Sequence, residues 1–87
     1  MILQELLPLY DDPKGILQIN DEKLYPICKA NILSFLSTDS DFTRKLNECQ
    51  VEAIGFYDNE FCVRLAISVG NLGVDIPYEW QVRGGKI

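Results

Sequence analysis

One stretch constrains this chain more than any other. Phe61, Val63, Leu65, Ile67 and Val69 alternate without a break with Cys62, Arg64, Ala66 and Ser68. A period of two sends successive side chains to opposite faces of an extended backbone, so residues 61–69 predict a strand with one apolar face. The apolar run at 51–57 precedes it, separated by Asp58-Asn59-Glu60. A two-residue turn at Asp58-Asn59 pairs Tyr57 with Glu60, Phe56 with Phe61 and Ile54 with Val63. That register gathers Ile54, Phe56, Phe61 and Val63 on one face, and a slip of one residue would part them.

The flanking segments read differently. Residues 1–10 carry a short helical stripe (Ile2, Leu3, Leu6, Leu7) disturbed by Pro8. Residues 11–15 are turn chemistry, residues 16–19 suit a short strand, and Asn20-Asp21 suits a turn or a helix cap. Residues 25–37 predict the main helix: Pro26 fits a first helical turn, and Ile27, Ala30, Leu33 and Leu36 recur near one face. A second helix fits residues 41–49, capped by Ser40 or Asp39, with Asp41 in its first turn and Phe42 and Leu46 inward. Gly70–Gly73 reads as a turn. Tyr78, Trp80 and Val82 alternate with Glu79 and Gln81, predicting a last strand with Pro77 at its start or on an edge. Residues 83–87 read as a frayed tail. Eighty-seven residues fit one domain. Segregated helices and strands predict an α+β two-layer sandwich, N-terminal helices on a C-terminal antiparallel meander of about three strands.

Composition then removes function classes. The chain has no histidine, which takes away the commonest neutral-pH base, the Ser-His and Cys-His pairs and the commonest zinc ligand. Its three cysteines, Cys28, Cys49 and Cys62, have no CxxC spacing and read as free thiols in a reducing compartment. The hairpin register sets Cys49 opposite Ser68 and Cys62 opposite Gly55, too far apart to bridge. No glycine loop precedes a Lys-Ser/Thr, so no phosphate cradle is expected. Net charge is −5, which disfavours nucleic acid and anionic membrane surfaces and suits a basic partner. With no basic-apolar leader and no stretch of about 20 apolar residues, the chain is expected to be cytoplasmic.

Three functions remain open to the sequence. The leading expectation is a non-catalytic, acidic protein-interaction module, of the inhibitor or immunity-factor type, that binds a basic protein surface. Nucleic-acid mimicry would be a narrow form of it. Its candidate contacts are Tyr57, Tyr78 and Trp80, rimmed by Asp58, Glu60, Asp75 and Glu79. Trp80 can equally be core. The second is a structural subunit that forms a homodimer through its sheet face. The third is a small divalent-metal enzyme using the Asp-x-Asp pair Asp39 and Asp41, although a hard cation needs more oxygens than one pair supplies and helix capping accounts for both acids. No cofactor is expected.

Overall fold

The structure, a computed structural model, describes residues 1–10 and 14–82. The turn read at 11–15 falls partly outside them, and the tail at 83–87 wholly. Four strands form one sheet: β1 (Ile16–Asn20), β2 (Pro26–Asn31), β3 (Val51–Tyr57) and β4 (Glu60–Leu65). Their order is β2-β1-β4-β3. β1 and β2 form one antiparallel hairpin and β3 and β4 another, and the inner strands β1 and β4 run parallel. The fold is therefore α+β as expected, but the sheet is mixed and four-stranded rather than an antiparallel meander of three.

The β3–β4 hairpin has the register read from the sequence. Tyr57 pairs with Glu60, Phe56 with Phe61, Gly55 with Cys62 and Ile54 with Val63. Asp58 (φ 51°) and Asn59 (φ 64°) both take left-handed backbone, the geometry whose twist matches paired strands. A bulge between Val51 and Ala53 then shifts the ladder, so Ala66 N–H donates to Gln50 O and Cys49 does not reach Ser68.

Three segments depart from expectation. Residues 25–37 are not one helix: Pro26–Asn31 is strand, and only Ile32–Ser37 (α2) is helical, with the Asn31 side chain accepting from Ser34 N–H. Cys28 and Ala30 pair with the buried Ile19 and Leu17 of β1, burial that a helix at this position would forgo. Pro26 is tolerated because β2 is an edge strand, where a missing N–H costs no ladder bond. The long strand at 61–69 stops at Leu65. Ile67 O instead accepts from Glu22 N–H, and Val69 N–H donates to the Asp21 carboxylate. The last strand at 78–82 is absent: Tyr78–Trp80 is a 3-10 turn that lays Trp80 against Phe35 and Phe42, ring centroids 5.7 and 6.1 Å away.

The helical layer is short and local. Leu3–Leu6 (α1) runs into a 3-10 turn at Leu7–Leu9 containing Pro8, and Asp41–Asn47 (α3) is capped by Ser40. Leu3, Leu7, Phe35, Phe42 and Leu46 are buried in one core with Leu17, Ile19, Phe61 and Val63. The opposite sheet face is polar: Gln18 bonds Asn20, and Lys29 pairs with Glu60 at 3.1 Å.

Candidate interaction surface

The outer side of β3 is the most open part of the sheet. In a two-residue hairpin the residues flanking the turn exchange both backbone hydrogen bonds, and pairs then alternate between bonded and non-bonded. Tyr57, Gly55 and Ala53 thus turn N–H and C=O toward β4, whereas Phe56 and Ile54 turn theirs outward. Beyond the bulge the parity reverses as it must. Val51 N–H points outward and donates to Met1 O at 2.8 Å, and Gln50 O points inward to Ala66 N–H at 2.9 Å. The Met1–Leu3 segment covers the start of this edge through the Ile2–Gln50 bridge. Among the described residues no strand pairs with the outer side of 53–57.

Side chains make this edge apolar. Ile54 and Phe56 lie on the core side of the sheet, yet are 56% and 57% exposed. Their partners Val63 and Phe61 are buried, Phe61 stacked on Tyr10 at 4.4 Å. The helical layer therefore covers β4 and leaves β3 open. On the other face the Tyr57 ring folds over Gly55, where an added Cβ would sit 2.5 Å from Tyr57 Cε2. Beneath it is a shallow groove of about 220 Å³, lined in part by Asn20, Leu24, Cys62 and Arg64.

The expected contact residues fall into two groups. Tyr57, Asp58 and Glu60 sit together at the hairpin tip, on the β3 side. Tyr78, Glu79 and Trp80 pack beside β2, at the opposite edge of the sheet. Tyr78 is 70% exposed and Glu79 and Asp75 are exposed, but Trp80 is only 9% exposed and belongs to the core. Of the four rim acids, Glu60 is held in an ion pair, as are Glu52, Asp39 and Asp41 outside the rim. Glu60 pairs with Lys29, and Glu52 lies 3.5 Å from Arg64 Nε, an ion pair without a formed hydrogen bond. Asp39 and Asp41 both bind Arg44, at 2.9 and 2.8 Å. The Asp39 bond, with Asp41 behind it, holds that guanidinium more firmly protonated. Among the described residues no three His, Cys, Asp or Glu side chains converge as metal ligands would.

Nor do the larger cavities collect reactive groups. Those of about 430 and 400 Å³ lie along the 69–77 loop, and among the described residues their only ionisable side chains are Asp75 and Asp41. The cysteines are free thiols. Burial pushes Cys28 up to about 12, and burial likewise raises Cys49 and Cys62 above the usual thiol range. None has the electropositive setting that makes a reactive thiolate.

Asp21, missed as more than a turn residue, is the one buried carboxylate among the described residues. Its Oδ1 accepts from Lys23 N–H (2.9 Å) and Tyr25 N–H (2.8 Å), and its Oδ2 from Val69 N–H (3.0 Å). Burial alone would raise its pKa, but these three donors, Val69 foremost, outweigh it and hold the carboxyl below the usual range. With its oxygens so occupied, Asp21 braces the β1–β2 loop against the 66–70 segment.

Comparison with protein-family models, with curated proteins and with solved structures finds no match. No helix among the described residues is long and apolar enough to cross a membrane. Fold and surface together define a class: a small α+β domain built from two hairpins, with one apolar sheet edge left open.

Proposed function

We propose that this protein is a non-catalytic protein-interaction module whose working surface is the outer edge and tip of the β3–β4 hairpin. One observation carries the reading: Ile54, Phe56 and Tyr57 are exposed together on a sheet edge with outward-facing backbone groups. Exposed edges are normally blunted by Lys, Pro or short strands. Residues 53–57 have none of these, and an edge that offers both backbone bonds and apolar side chains suits strand addition. The net charge of −5 selects against acidic partners and is compatible with a basic protein surface, as an inhibitor or immunity-type factor would meet. The pairing of Glu60 with Lys29, and the division of the rim acids between the two edges of the sheet, shift the emphasis from the acidic rim to the apolar edge.

The test is capture from an extract of the source cells with the immobilised protein, its Ile54→Lys variant and a Leu33→Lys control. Leu33 is also exposed, but on α2. A species retained by wild type and control and lost by Ile54→Lys, a copy of the chain itself included, is the expected result. Equal retention by all three, or no retained species, sinks the reading. A second reading, self-association, is favoured by the absence of charge across 53–57.

A further inference from the structure

We propose that the occupant of this edge is a second copy of the chain, paired β3 to β3 in antiparallel fashion about a two-fold axis through Gly55, so that two four-stranded sheets join into one of eight strands. The proposal rests on the reading of the hairpin as an interaction surface and names its partner.

The edge is bounded symmetrically. On one side the Met1–Leu3 segment occupies the outward groups of Cys49 and Val51, with Leu3 N–H donating to Cys49 O at 3.0 Å. On the other, Asp58-Asn59 turns the chain away. Between them lie five residues, 53–57, centred on Gly55. A longer extended segment would meet Met1–Leu3, whereas a second β3 ends in its own turn at the matching place.

The outward groups are self-complementary in the same register. With Gly55 opposite Gly55 of the second copy, Ile54 faces Phe56 and Phe56 faces Ile54, and all four residues have their N–H and C=O directed across the gap. The central pair is the non-hydrogen-bonded kind, where opposed residues come closest, and neither glycine has a side chain to interfere. On the core side, Ile54 and Phe56 from both copies meet and are withdrawn from water. Shifting the register by two residues loses this match. One shift sets Glu52 against Phe56, and the other sets Asp58 against Ile54. No charge opposes another inside the window. Just outside it, Glu52 stands across from Asp58 at both ends, so added salt, which screens that repulsion, tightens the pair.

The experiment is sedimentation equilibrium of the whole chain from low micromolar to submillimolar concentration, with amide exchange on the same samples. The mass is expected to rise from 9.9 kDa toward twice that value, more readily at higher salt. Amides of Ile54 and Phe56 are expected to slow with concentration, while those of Ala53, Gly55 and Tyr57, already bonded to β4, stay slow throughout. Ile54→Lys and Phe56→Pro are expected to stay at 9.9 kDa with an unchanged circular dichroism spectrum. The proline removes an outward N–H and the exposed Phe56 ring but no hydrogen bond to β4, so the β3–β4 ladder survives it. Wild type monomeric at every concentration, a dimer loosened by salt, or a dimer that persists in Ile54→Lys overturns the proposal. A monomer that still captures a different protein through Ile54 overturns second-copy pairing alone, and a monomer that captures nothing removes the interaction reading too.

Discussion

A single carboxylate shows how much one residue can organise. Asp21 satisfies three backbone donors from two separate segments and ties the end of the β4 region to the β1–β2 loop. Replacing it by Ala leaves those donors without partners, at a cost of about 3 kcal/mol or more. Asp21→Asn is expected to lose less, because one oxygen remains to accept while the amide NH2 opposes one donor. The carboxyl is held below its ordinary value of 3.8 in the folded chain. Its stabilisation is thus fully present above pH 3.8 and is lost as pH falls through the lower, folded value. Urea midpoints measured across that acid range should fall more steeply for wild type than for Asp21→Asn. Parallel slopes would show that Asp21 is not the group responsible.

At the scale of elements, the β3–β4 hairpin was the most legible part of the chain. Its alternation and its Asp-Asn turn act over neighbouring residues, and both side-chain period and turn type determine register locally. Asn59 at φ 64° is part of that control. Asn59→Val puts a β-branched side chain where left-handed backbone is required and is expected to cost about 1–2 kcal/mol, read from the shift in chemical denaturation midpoint. Little or no shift would mean the turn does not depend on that geometry. The 25–37 segment was misread for the opposite reason. Its apolar positions serve a helix or a strand about equally, and the choice fell to β1, whose Leu17 and Ile19 offer a partner surface that the local pattern does not record. The same holds for 78–82, where burial of an indole against Phe35 and Phe42 overrode a period-two pattern.

The whole molecule is small, and its core has little redundancy. Trp80 reaches from the C-terminal segment across to Phe35 and Phe42 on two different helices. Trp80→Ala is expected to cost about 3–5 kcal/mol. That is a large share of the roughly 5–15 kcal/mol typical of a domain, so the variant should melt far earlier if it folds at all. A near-wild-type melting temperature would place the indole outside the core. The two edges of the sheet also differ at this scale. β2 is flanked by the Tyr78–Trp80 turn, and β3 is open beyond the Met1–Leu3 bridge. That asymmetry makes the hairpin edge, rather than the Tyr78-Trp80 side, the surface to test for partners.

By itself the sequence determined the α+β class, the register and turn of the β3–β4 hairpin, a helix starting at Asp41 with its cap at Ser40 or Asp39, and the lack of histidine chemistry. Each of these follows from local periodicity, turn geometry or composition. Only the tertiary structure decided the strand order, the parallel pairing of β1 with β4, the identity of residues 26–31 as strand and the burial of Asp21 and Trp80. It also decided that Ile54 and Phe56, on the core side by register, lie uncovered. Whether an apolar residue is buried depends on where the helical layer ends, and that boundary is drawn by contacts between segments far apart in the chain.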